Sequence, residues 1–149
     1  MAKLRKGGFL LSKVHRLSGR VFARLLKNHG LQEINPAQGR ILFVLWDADE
    51  IPIHELARRT SLGKSTISTM LDRLVIDGFV ARRTDPDNRR TVLVRSTVKD
   101  EAIRRTFVAV SEEMTKLWYR GLSEGSRDQF EAVLAHILDN LESAECNRL

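Results

Sequence analysis

Between Phe9 and Leu26, apolar side chains recur at Leu10, Val14, Leu17, Val21 and Leu25, with Phe22 and Leu26 alongside. Three- and four-residue spacing of this kind is the stripe of one amphipathic helix, and Lys13, Arg16, Arg20, Arg24 and Lys27 fill its remaining positions. Asn35-Pro36-Ala37-Gln38 reads as the start of a second helix. Asn35 can cap it, Pro36 has no amide to waste at the first position, and Gln38 can reach back to the cap. That helix carries Ile41, Leu42, Val44, Leu45 and Trp46 and stops in the acidic run Asp47-Ala48-Asp49-Glu50. Ile51-Pro52-Ile53 is too short for more than an edge strand.

A short helix over His54–Arg59 follows, then the turn Thr60-Ser61-Leu62-Gly63, then a longer helix from Lys64 to about Asp77 closed by Gly78. Two helices across a short glycine-containing turn form a helix-turn-helix pattern. Phe79–Arg83 and Thr91–Arg95 are rich in Val, Phe, Leu and Thr, and the segment between them is charged and turn-forming, which predicts a β-hairpin with a basic tip. Thr97 and Asp100 mark the start of a long helix with a stripe of Ile103, Phe107, Val110, Met114, Leu117 and Trp118. Gly121 and Gly125 are expected to interrupt it. Ser126 and Gln129 then offer a capping box for a last helix lined by Phe130, Val133, Leu134, Ile137, Leu138 and Leu141. The expected fold is mainly α with a small β-hairpin: a winged helix-turn-helix over 36–97 within one domain, 1–149. The helices over 9–29 and 98–145 carry more apolar surface than one small core needs, and part of it is assigned to a dimer interface.

The charge distribution narrows the choice of partner. The chain of 149 residues has 25 basic and 19 acidic side chains, a net +6, distributed as +8 over residues 1–40, −3 over 41–53, +5 over 54–99 and −4 over 100–149. Two basic stretches call for a polyanion, nucleic acid first and an anionic membrane surface second. No apolar run approaches the ~18 residues of a membrane span, so no membrane insertion is expected and the location is taken as cytoplasmic. Cys146 is the only cysteine, which excludes an internal disulfide. His29, His54 and His136 lack metal-ligand spacing, and no nucleophile with a nearby base or paired carboxylates emerges. Neither an enzyme nor a cofactor nor a metal site is expected.

On the helix from Lys64, the positions Ile67, Met70, Leu71, Leu74 and Val75 share one face for packing. The opposite face is small and polar, with Lys64, Ser65, Thr66, Ser68, Thr69 and Arg73. Short hydroxyl side chains allow close approach to a major groove, where they can bond base edges or phosphates. Lys64 adds to the anion attraction of the helix start. At the hairpin tip stand Asn88, Arg89 and Arg90, with Arg82, Arg83 and Arg95 on the arms, and arginine on a thin loop suits a narrow minor groove. Asp85 and Asp87 are read as turn formers. The alternative is a winged-helix module that binds protein without DNA.

The stretch HELARRTSLGKSTISTMLDRLVIDGFVARRTDPDNRRTVLV, with helices before and after it in the expected order, resembles the MarR family of regulators. The resemblance implies a homodimer whose first and last helices interlock, with each recognition helix in a major groove and each wing in the adjacent minor groove of a pseudopalindromic double-stranded operator. It implies that Arg90 is the wing arginine and that Asp72, within LDRL, anchors it. It also implies a small aromatic or phenolic effector, for which His15, Arg16, Arg20, Phe43 and Trp46 are the candidate contacts. The family wing commonly reads Asp-x-Arg, and here Asn88 takes the acid's place.

Overall fold

The computed structural model describes residues 3–147, except for the side chain of Asp100. The elements are α1 (Gly7–Asn28), α2 (Pro36–Trp46), β1 (Ile51–Pro52), α3 (Ile53–Thr60), α4 (Lys64–Ile76), β2 (Val80–Thr84), β3 (Val92–Ser96), α5 (Val98–Trp118) and α6 (Glu124–Cys146). They group into two compact units that divide between Ser111 and Glu112.

The first unit holds the winged helix-turn-helix. The expected start of α2 is present as a full capping box: the Asn35 side chain accepts from the Gln38 amide at 2.8 Å, and the Asn35 amide donates to Gln38 Oε1 at 3.1 Å. Gln38 is buried, and this bond gives its side-chain oxygen a donor away from water. Ile41, Leu42 and Leu45 of α2, Leu56 of α3, Ile67, Leu71 and Leu74 of α4, and Phe79, Val80 and Val94 of the sheet form one core with Leu26, Phe107 and Val110. The sheet order is β1-β3-β2, antiparallel throughout, with Ile51 opposite Val94 and Arg82 opposite the same residue from the other side. Alternation then assigns the faces. Val80, Arg82 and Val94 share the face toward the core, and Ala81, Arg83, Leu93 and Arg95 share the outer face.

The short glycine-containing turn expected between α3 and α4 is present, and Ser61 is its left-handed residue. Ser61 takes the left-handed conformation at φ 53°, its amide reaches the Arg58 carbonyl, and the Leu62 amide reaches that of Ala57. These two bonds make a Schellman close with serine where glycine is usual. Gly63 has φ −64° and ψ 152° and serves as the N-cap of α4. Because a Cβ costs roughly 1 kcal/mol in the left-handed region, Ser61→Gly is expected to raise unfolding stability by about 0.5–1 kcal/mol. Denaturant titration checks this, and a loss of stability would contradict the assigned geometry.

In the second unit, α6 is capped by Ser123, whose side chain accepts from the Ser126 amide at 3.2 Å, with Glu124 in the first turn. The capping box expected at Ser126 and Gln129 is therefore displaced by three residues. Gly125 lies inside the helix, and the break falls at Gly121, φ 80°. Ser123 prevails because it offers the same hydroxyl earlier and sets an acid at the positive helix end. Trp118, Tyr119 and Phe130 pack ring against ring, and the Tyr119 hydroxyl donates to Glu131 at 2.5 Å.

Candidate nucleic-acid interface

The packing face of α4 is as the spacing implies: Ile67, Leu71 and Leu74 are buried, with Met70 and Val75 half-buried beside them. Lys64, Ser65 and Thr66 are exposed at the first turn. No side chain caps that turn, because Gly63 has none to offer. Its amides and the helix dipole are thus open to an anion. Thr69 is exposed, with its hydroxyl donating to the Ser65 carbonyl at 3.0 Å, and Ser68 is half-buried. Arg73 projects from the last turn and is held by Asp77 at 3.1 Å.

The wing tip is set by side chains bonding their own backbone. Asp85 Oδ1 accepts from the Asp87 amide at 2.9 Å, and Asn88 Oδ1 accepts from the Arg90 amide at 3.2 Å. The Thr91 amide closes on the Asn88 carbonyl at 2.9 Å. Arg89 and Arg90 are therefore the two central residues of a β-turn. Their side chains are exposed and make no ion pair among the described residues. Asn88 supplies the turn-forming oxygen that an aspartate would, without its charge.

Two of the arginines on the arms of the hairpin are held by acids. Asp72 pairs with Arg82 at 2.7 Å, and not with Arg90 as the family resemblance implies. The reason lies in the register: Arg82 shares the core face with Val80 and Val94 and so meets α4, whereas Arg90 lies in the turn beyond the ladder. A double-mutant cycle on unfolding is expected to give Asp72 and Arg82 a coupling of about 0.2–1 kcal/mol, the range of exposed ion pairs, and Asp72 with Arg90 none. Measurable coupling to Arg90 would reverse the assignment. On the outer face, the Arg83 guanidinium forks onto Glu50, at 2.6 Å from Nη2 and 2.9 Å from Nε. Those hydrogen bonds hold the Glu50 carboxyl below its ordinary range. On α3, hydrogen bonds from Arg58 and then Arg59 lower Glu55 to about 2.

The residues proposed for an effector are not gathered into one place. His15, Arg16 and Arg20 are exposed on α1, and Phe43 is 60% exposed on α2. Trp46 instead packs edge-on against Phe107, ring centroids 5.1 Å apart, and Phe22 meets Phe107 from another side at 5.6 Å. The cation over the Trp46 ring is Arg104 of α5, at 5.6 Å. Arg104 was not singled out from the sequence, where it is one of several charges on a helix and carries no local sign of its partner.

A sequence profile of the MarR family matches residues 34–92. The chain is 29% identical over 104 residues to the HTH-type transcriptional repressor YetL of Bacillus subtilis, which is 68% of this chain and 62% of that one. Matches to two further HTH-type regulators take in 49% and 43% of their lengths. Among solved structures, the apo form of wild-type MarR from E. coli has a TM-score of 0.70 at 26% identity, over 91% of this chain and 98% of that one. BpsR of Bordetella bronchiseptica, whose DNA binding is regulated by 6-hydroxynicotinic acid, shares the fold at a TM-score of 0.80 and 22% identity, over 89% and 98% of the two chains.

Proposed function

The chain belongs to the MarR family, and on that footing we propose that it is a homodimeric, sequence-specific DNA-binding regulator acting in the cytoplasm as a repressor. In this reading α4 enters the major groove of each half of a pseudopalindromic operator, and the wing follows the minor groove beside it. The observation that carries it is the pairing of two features in one unit. An uncapped, exposed first turn holds Lys64, Ser65 and Thr66, and a fixed turn presents Arg89 and Arg90 without acidic partners among the described residues.

The dimer is supported by apolar side chains that no core covers. Phe9 and Leu10 of α1 are 66% and 53% exposed, and Leu141 of α6 is 62% exposed. Apolar surface of this kind in a soluble chain points to a second copy. A small aromatic or phenolic acid is the proposed effector. Arg104 stacked on Trp46 offers it a cation beside an aromatic wall, and the 6-hydroxynicotinic acid of BpsR belongs to that chemical class.

Selection of bound duplexes from a random library, followed by titration at several salt concentrations, tests the reading. Log affinity is expected to fall linearly with log salt by about 0.9 for each phosphate bound, with half-sites about one helical turn apart. A weak response independent of salt would reject DNA as the partner and favour a protein-binding module.

A further inference from the structure

The outer face of the wing sheet carries Arg83 and Arg95, and one acid is placed against them. Glu50 immediately precedes β1, whose Ile51 and Pro52 pair with Val94 and Leu93 of β3. Continuing that antiparallel register sets Glu50 beside Arg95, on the strand edge opposite β2. Arg83 belongs to β2, across β3 from Glu50, and its guanidinium spans β3 to reach the carboxylate with both prongs of the fork. The two residues stand 33 positions apart in the chain. Glu50 is the more covered partner, with its side chain 21% exposed against 52% for Arg83. The charged groups acting on Glu50 are Arg83 and Arg95, which favour its ionised form, and Asp85, which opposes it.

We propose that Glu50 is an intramolecular substitute for phosphate that withholds Arg83 from DNA and so sets the affinity of the wing below what its arginines would otherwise give. The proposal rests on the DNA-binding reading above. A guanidinium already forked onto a carboxylate has its charge matched and its donors used, and it displaces no counterion when DNA arrives. Arg89 and Arg90, a few residues away at the tip, have no such acid among the described residues. An exposed ion pair is also weak enough to be exchanged, and the neutral amide of glutamine would leave Arg83 free to turn to a phosphate.

Glu50→Gln is therefore expected to bind duplex DNA several-fold more tightly at low salt and to steepen the log affinity against log salt slope by about 0.9, one added phosphate. Asp49→Asn removes the same charge one residue earlier, where no arginine is paired among the described residues, and is expected to steepen it by less. In Glu50→Gln with Arg83→Ala, both affinity and slope are expected to return to the original values. Equal effects from Glu50→Gln and Asp49→Asn would overturn the proposal in favour of a general field, and weaker binding by Glu50→Gln would show that the pair serves to hold the wing in place. If the unsubstituted protein binds with a salt slope and Glu50→Gln leaves it unchanged, the clamp alone is rejected. If the unsubstituted protein shows no salt-dependent binding, the DNA reading itself fails.

Discussion

Alanine at both Arg89 and Arg90 is expected to weaken duplex binding by roughly a hundredfold at low salt, taking about 1.5 kcal/mol for the hydrogen bonding of each guanidinium to DNA. The salt slope should become shallower by about 1.8, the equivalent of two phosphates. Neither guanidinium takes part in an ion pair among the described residues, and the turn that carries them is held by the backbone of Asp85, Asn88 and Thr91 and by the side chains of Asp85 and Asn88. Melting temperature and elution on sizing should therefore stay unchanged. Arg90→Ala alone should give about half the free-energy effect. A double variant that binds as tightly as the original would remove the wing tip from the interface, and one that elutes as a monomer would show these residues in the dimer interface instead.

Gly39→Ala is expected to destabilise the fold by about 1–3 kcal/mol, the usual cost of forcing extra volume into a packed core. Helix propensity alone predicts a gain of nearly 1 kcal/mol at this α2 position. The sign is decided by Phe107. A Cβ on Gly39 would stand 2.4 Å from Cζ and 2.7 Å from Cε2 of that ring, which is 4% exposed and flanked by Phe22 and Trp46. The ring has nowhere to retreat without disturbing both neighbours. Denaturant unfolding measures the effect, and Phe107→Leu in the Gly39→Ala background should recover part of the stability, a coupling expected only of groups that touch. An unfolding midpoint raised by Gly39→Ala would show that α2 and the Phe107 ring are not in close approach.

These two substitutions differ in how far the sequence anticipates them. Arg89 and Arg90 are legible because everything that presents them lies within seven residues, and the turn chemistry of Asp85 and Asn88 is local. The start of α2 is legible for the same reason, since Asn35, Pro36 and Gln38 complete their capping box within one turn. The buried face of α4 follows from helical period alone. At the start of α6 the pattern points to Ser126, whereas the chain caps the helix at Ser123. Nor does the pattern say which residue of the turn after α3 is left-handed, and the chain places Ser61 there.

By itself, then, the sequence determined the order of helices and strands, the packed and open faces of α4, and the basic turn that ends the wing. Each of these depends on spacing and caps within a few residues, where the geometry of helix and strand leaves little freedom. Only the tertiary structure decided that Asp72 meets Arg82, that Glu50 takes Arg83, that Arg104 covers Trp46 and that Gly39 admits Phe107. Those pairings join residues distant in the chain and depend on strand register and on the approach of helices. Arg82 and Arg83 make the reason plain: they are adjacent and chemically identical, and strand alternation alone sends one to α4 and the other to the outer face of the sheet.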